Sequence, residues 1–160
     1  MSIDGTTSVS RSGSRIRIAV RGILLKDNKL LLVNAWPDGQ SDLLCAPGGG
    51  AEPHQSLPDN LRREFYEETG LSVSVGQCVL VNEFHDPAGG FHQVDIYFRC
   101  SASDHDIQDN WIDPEGVVTE HHWVTRTELS NLNVKPDSLS EVVWEQSGSA
   151  SYDPLEPILR

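Results

Sequence analysis

The chain has 160 residues, a length that suits one domain built around a single hydrophobic core. Hydrophobic residues make up 38% and charged residues 22%, a balance typical of folded globular proteins rather than disordered ones. Acidic residues outnumber basic ones by 24 to 12, so the formal net charge is −12. Because phosphate backbones are bound by basic surfaces, this charge argues against a protein that binds nucleic-acid polymers.

The same charge also constrains smaller ligands. A ligand that carries phosphates would be repelled on approach, so a cation must lie between it and the protein. A bound divalent metal ion would supply that positive charge.

The three cysteines, Cys45, Cys78 and Cys100, lie far apart and form no C-x-x-C pair. They therefore indicate neither a disulfide framework nor a zinc site, and we expect buried thiols in a reducing compartment. The sequence contains no apolar segment typical of a signal peptide or a membrane span. We expect a cytoplasmic protein that does not bind membranes.

The first predicted elements follow a Ser/Thr/Gly-rich segment, residues 1–14, which we expect to be a mobile tail. Alternating apolar residues from Ile16 to Leu25 predict a strand, and residues 29–34 predict its hairpin partner after a turn at residues 26–28. A glycine-rich loop, residues 47–50, comes next.

A helix from Leu57 to Thr69 is predicted by its end signals. Ser56 is a suitable N-cap, Pro58 falls in the first turn, and Gly70 stands where a C-terminal glycine belongs.

The second half of the chain predicts further strands and one more helix. Residues 73–84 and 91–100 alternate as a long hairpin around an Asp-Pro-Ala-Gly-Gly turn. Residues 103–119 are polar and irregular, residues 122–124 favour a short strand, and residues 136–146 favour a terminal helix. Strands on both sides of a central helix predict one α/β or α+β domain over residues 15–146, followed by a tail at 147–160.

Three glutamates of the central helix, Glu64, Glu67 and Glu68, are the residues that indicate a functional site. At about 100° per residue, Glu64 and Glu68 point to the same side as the apolar residues Leu61 and Phe65. A solvated acidic face would instead point away from the core. Carboxylates at these spacings repel one another unless a cation neutralises them, and Mg²⁺ or Mn²⁺ takes such oxygen ligands.

The segment from Gly49 to Leu71 resembles the signature of the Nudix hydrolases, a MutT-like family, written G-x5-E-x7-R-E-U-x-E-E-x-G-U with U a bulky apolar residue. Arg63 and the three glutamates fall in register, whereas Gln55 replaces the first glutamate and Phe65 an aliphatic residue. The resemblance implies an α/β/α sandwich with a mixed central sheet. It also implies a Mg²⁺-dependent hydrolase, with Mn²⁺ as a possible substitute.

The resemblance further implies a role for each matching residue. Glu64, Glu67 and Glu68 would bind metal, assisted by a backbone carbonyl of the glycine-rich segment, which we place at Gly48. Arg63 would orient these acids, and Gln55 would hydrogen-bond to Arg63.

The general base stays open at this point. Glu64 is the first candidate, and Glu120 or Glu115 from the polar loop are the alternatives.

The predicted reaction is cleavage of a pyrophosphate bond, by metal-activated water, in a nucleoside diphosphate linked to another moiety. The partner is therefore a nucleotide-type small molecule, and the family also allows a homodimer. The competing hypothesis is a non-catalytic domain that binds a nucleotide or ADP-ribose, with Gln55 marking lost chemistry. The substrate-binding residues cannot be assigned from the sequence.

Overall fold

A computed structural model describes residues 15–145 and 148–158. The elements in this part of the chain are the strands β1 (Ile16–Lys26), β2 (Lys29–Asn34), β3 (Leu44–Cys45), β4 (Gly48–Gly50), β5 (Ser74–Asp86), β6 (Phe91–Ser101), β7 (His121–Val124) and β8 (Ser151–Pro157), and the helices α1 (Leu57–Thr69), α2 (Arg126–Leu129) and α3 (Leu139–Trp144). The strands form one mixed sheet in the order β3-β2-β1-β6-β5-β8, in which β4 also pairs with β1 and β7 with β2. The predicted N-terminal tail, residues 1–14, lies outside the described residues.

The first hairpin and the central helix match their predictions. Asp27 and Asn28 turn the chain between β1 and β2 with positive φ angles of 49° and 63°. Helix α1 has the predicted bounds, and its N-cap Ser56 accepts a hydrogen bond from the Asp59 N–H at 3.1 Å. Gly70 ends the helix in the left-handed conformation, φ 75°, which glycine adopts without strain.

The second hairpin and β7 are also confirmed, with small shifts in their ends. Strands β5 and β6 are antiparallel, and each runs one or two residues past its predicted end. The polar segment 103–119 contains neither helix nor strand.

The C-terminal region departs most from expectation. Helix α3 begins at Leu139 rather than Pro136, because residues 136–138 form a turn in which the Leu139 N–H bonds to the Pro136 carbonyl at 3.1 Å. Helix α2 was not predicted, and neither was β8, which pairs in parallel with β5 inside the expected tail. The β8 sequence contains two prolines and lacks apolar alternation, so local signals do not favour a strand.

Buried side chains fill the space on both faces of the sheet, which confirms the predicted α/β/α sandwich. Leu139 and Val143 of α3 pack with Leu80 and Tyr97 on one face. Phe65 and its neighbours on α1 pack against the other face. None of the described helices is long and apolar enough to span a membrane.

Candidate active site

A cavity of about 470 Å³ opens in the sheet where β1 changes its pairing partner from β4 to β2. Strand β1 pairs with β4 over residues 19–21 and with β2 only at residues 25–26. Side chains from both parts of the sheet, from α1 and from the loop at residues 113–118 line this cavity. Its size suits a ligand of nucleotide dimensions.

Three carboxylates form a cluster at this cavity. One oxygen each from Glu64, Glu67 and Glu115 lies within 4.8 Å of the other two. Helix α1 supplies the first two and the polar loop supplies Glu115. Carboxylate oxygens this close repel one another in the absence of a cation, and they are the ligands that hard divalent metals prefer. The donor set therefore fits a divalent metal ion.

Glu64 is the most constrained member of the cluster. It is only 6% exposed, and Arg63 donates to its Oε1 at 3.0 Å. Burial raises the pKa of Glu64, the charge of Glu115 raises it further, and Arg63 opposes both effects. A Cβ on Gly49 would lie 2.5 Å from Glu64 Oε2, so only glycine leaves room for this carboxylate.

Arg63 lies among the acids, as its predicted orienting role requires. Its guanidinium contacts Asn60 Oδ1 at 3.0 Å, Glu67 at 3.6 Å and Glu52 at 3.8 Å. Gln55 is exposed, and no hydrogen bond between its side chain and Arg63 occurs among the described residues. The predicted hydrogen bond between Gln55 and Arg63 is therefore wrong. Glu52 and Asn60 contact the arginine instead.

Glu68 is not a member of this cluster. It is 9% exposed, and its Oε2 accepts from the Gly48 N–H at 3.1 Å. Burial raises the pKa of Glu68 to about 8, although Arg21 and the Gly48 N–H act to lower it. The structure thus brings Glu64 and Glu67 together with Glu115, and places Glu68 against the glycine-rich strand.

The two loop acids considered as bases differ sharply in position. Glu115 joins the cluster, whereas the side chain of Glu120 is 58% exposed, lies 3.8 Å from His122 and is not part of the cavity lining.

Two buried polar side chains fix the loop that carries Glu115. Asp113 accepts from the N–H groups of residues 115, 117 and 118. Asn34 on β2 accepts from the N–H groups of residues 119 and 120 and donates to the Val117 carbonyl at 2.7 Å.

The sequence analysis missed Asp113 and Asn34 in this role. The Asp-Pro-Glu-Gly run at residues 113–116 is a turn signal that points to Asp113. Nothing local marks Asn34.

Comparison with protein families and curated proteins places these features in a known context. The model of the NUDIX domain matches residues 15–143. Nucleoside diphosphate-linked moiety X motif 6 from Mus musculus is 26% identical over 127 residues, which are 79% of this chain and 36% of the mouse protein. An ADP-ribose pyrophosphatase from Methanocaldococcus jannaschii is 35% identical over 83 residues, which are 51% of this chain and 48% of that protein.

Solved structures show the same fold. A NUDIX hydrolase from Nitrosomonas europaea superposes with a TM-score of 0.67 at 21% identity, covering 81% of this chain and 86% of its own. The chain spans about a third of the mouse relative and about half of the Methanocaldococcus relative.

Proposed function

The chain belongs to the NUDIX domain family, and from this premise we propose that it hydrolyses a nucleoside diphosphate linked to another moiety. The names of its relatives support this class of substrate, since one is called a nucleoside diphosphate-linked moiety X protein and another an ADP-ribose pyrophosphatase. Water would add across the diphosphate, so that one phosphorus–oxygen bond forms and the bridging bond breaks. The products would be a nucleoside monophosphate and the phosphorylated moiety.

The cluster of Glu64, Glu67 and Glu115 carries the proposal. Three carboxylates within 4.8 Å fit a divalent cation, and Mg²⁺ is the proposed ion, with Mn²⁺ as a substitute. In a chain of net charge −12, that cation also resolves the repulsion between the protein and a diphosphate. When bound, the metal would neutralise the diphosphate and lower the pKa of a bound water.

The surrounding residues would hold this arrangement in place. Arg63 fixes the Glu64 carboxylate through its 3.0 Å hydrogen bond and balances Glu67. Glu68 and the Gly48 carbonyl are proposed as further metal ligands, with Glu68 held by the Gly48 N–H.

Glu64 is the proposed proton acceptor from the attacking water. It lies in the cluster and is held by Arg63. Glu115 takes the place of Glu120 as the alternative base, because Glu115 lies within the cluster and Glu120 lies outside the cavity.

A substrate panel tests the proposal. Purified protein is incubated with ADP-ribose, UDP-glucose, diadenosine polyphosphates and nucleoside triphosphates, with Mg²⁺, with Mn²⁺ or with EDTA. We expect hydrolysis of at least one diphosphate-linked compound, loss of hydrolysis in EDTA, and ¹⁸O from labelled water in one phosphate product. Binding without hydrolysis under every metal condition would contradict the proposal and favour a non-catalytic nucleotide-binding domain.

A further inference from the structure

Asn82 on β5 has an unusual environment for a buried amide. It is 3% exposed, and its Nδ2 has no hydrogen-bond partner within the part of the chain that the structure describes. A buried donor without a partner destabilises a folded protein, so it calls for a functional explanation. Asn82 also lines the cavity that contains the acidic cluster.

The polar neighbours of Asn82 are already paired with one another. Asp95 stands opposite Asn82 on β6. Asp95 Oδ1 accepts from Gln93 Nε2 at 2.6 Å, and its Oδ2 lies 3.5 Å from Arg21 Nε. Gln93 Oε1 in turn accepts from Arg17 Nη1 at 2.5 Å. Asn82 takes no part in these contacts, and among the described residues its Nδ2 is left without a hydrogen-bond partner, as is Arg21 Nε.

An aromatic wall adjoins this amide. Phe84 follows Asn82 by two residues on β5, and therefore lies on the same face of the sheet. Phe84 and Phe91 line the cavity with ring centroids 5.9 Å apart, and Pro157 and Ile158 extend the apolar surface. Flat aromatic surfaces favour stacking of nucleobases, which also carry ring-nitrogen and carbonyl acceptors.

The residues that line the cavity between the aromatic wall and the acidic cluster follow a definite order. Gly49 faces Glu64, and the next residue, Gly50, faces the Arg17 guanidinium, since a Cβ on Gly50 would lie 2.6 Å from Arg17 Nη2. Arg17 then contacts Gln93. Along the cavity, the acids are therefore followed by a guanidinium, then by the amide floor with its aromatic wall. A bound substrate would place its metal-bound diphosphate at the acids, a phosphate oxygen at the guanidinium and its base at the amide floor and the aromatic wall.

We propose that Asn82 selects substrates by donating its amide N–H to an acceptor on the nucleobase. This inference rests on the proposed function, because it takes a nucleoside diphosphate derivative as the ligand. Asn82 is a specificity residue rather than a catalytic one, since it lies on the sheet floor and not in the acidic cluster.

Stability of the ligand-free protein gives the first test. Asn34 is a matched control, since it is equally buried at 3% but its amide nitrogen donates at 3.0 and 2.7 Å and its oxygen accepts at 2.9 and 3.0 Å. We expect Asn82→Leu to raise the melting temperature and Asn34→Leu to lower it. A fall of similar size in both variants would mean that Asn82 has a structural role, and would overturn the proposal.

Substrate kinetics give the second test. Each compound that the wild type hydrolyses is compared with its counterpart that lacks the base, such as diribosyl diphosphate for ADP-ribose. We expect Asn82→Leu to raise KM about tenfold for the base-containing compound, with kcat changed less than about threefold, and to leave the base-free compound unaffected. Asn82→Ala should give the same pattern if leucine does not fit.

The outcomes separate this inference from the function on which it rests. Hydrolysis with equal effects of Asn82→Leu on both compounds would overturn the role of Asn82 alone. If the wild type hydrolyses nothing, calorimetric affinities for the same pair of compounds replace KM. Tenfold weaker binding of the base-containing compound alone would then support Asn82 while the hydrolase proposal fails, and absence of binding would overturn both.

Discussion

Glu68 illustrates, at the scale of single residues, how burial of a carboxylate makes the stability of the fold depend on pH. Burial raises its pKa from 4.5 in the reference state to about 8 in the fold. Between these two values the folded protein holds a proton that the unfolded chain has lost, so the free energy of unfolding falls as pH rises from about 4.5 to 8. Above pH 8 the metal-free fold contains a buried carboxylate whose charge is stabilised by Arg21 and the Gly48 N–H.

Removing this charge should therefore stabilise the metal-free protein at high pH. We expect Glu68→Gln to raise the free energy of unfolding by about 2 kcal/mol at pH 9 and to change it little at pH 5, where Glu68 is already neutral in the fold. Urea unfolding in EDTA at the two pH values measures the difference. Equal destabilisation at both would show that the carboxylate is not strained by burial.

Glu115 and Glu120 offer a matched pair of loop acids. We expect Glu115→Gln to lower kcat by about 100-fold or more, because it removes one of the three clustered carboxylates. Glu120→Gln should stay within about threefold of the wild type, since that side chain is exposed. Steady-state assays with Mg²⁺ measure kcat for both variants. A larger loss of kcat in Glu120→Gln than in Glu115→Gln would restore Glu120 as the functional loop acid.

Gln55 should have little influence on activity. Its side chain is exposed, and Arg63 already contacts Glu52, Asn60, Glu64 and Glu67. We therefore expect Gln55→Glu to change kcat/KM by less than about threefold, because an added exposed charge is screened by solvent. A tenfold gain would show that the substitution in the motif impairs the natural protein.

The helical acids were predictable, but the choice between loop acids was not. Glu64 and Glu68 follow the 3.6-residue repeat, and their burial confirms that part of the interpretation. Glu115 reaches the cluster because Asn34, on β2, binds the far end of its loop. Such a contact between residues about 85 positions apart leaves no periodic trace in the sequence.

At the scale of elements, β4 shows how three glycines build part of the site. The sequence predicts a glycine-rich loop, whereas residues 48–50 pair with β1 as a short strand. The difference arises because small residues permit close approach: a Cβ on Gly48 would lie 1.8 Å from the Val20 carbonyl oxygen. The strand thereby brings backbone directly against Glu64 and Glu68.

In this strand, Gly49→Ala should lower activity while changing the stability of the fold little. The new methyl group would meet the flexible end of Glu64, so the carboxylate must move while the backbone stays. We expect the free energy of unfolding to change by about 1 kcal/mol or less, and kcat to fall about 100-fold. Gly148→Ala is the control, because its methyl group meets nothing within 4 Å. Urea unfolding and the steady-state assay give the two values, and unchanged kcat would contradict the account.

Element prediction succeeded where local chemistry decides and failed where pairing is non-local. Helix α1 has Ser56 and Gly70 at its ends, and the β1–β2 turn has residues that tolerate positive φ. Strand β8 depends on an open edge of β5 more than 60 residues earlier in the chain. Its own residues give no strand pattern.

At the scale of the whole molecule, the packing of the sheet and the position of the site follow from the same topology. Helices on both faces bury the sheet, and the site opens where β1 changes partners. The acidic cluster lies at that opening in a chain of strongly negative charge. A divalent cation would stabilise the folded state there and admit an anionic substrate, so stability and function are linked through the same ion.

Crystals soaked in Mn²⁺ test this linkage most directly, because anomalous scattering locates the ion without reference to activity. We predict a peak bounded by carboxylate oxygens of Glu64, Glu67 and Glu115, which disappears in Glu64→Gln and persists in Glu120→Gln. A well-ordered site without such a peak, or a peak at Glu120 instead, would contradict the account.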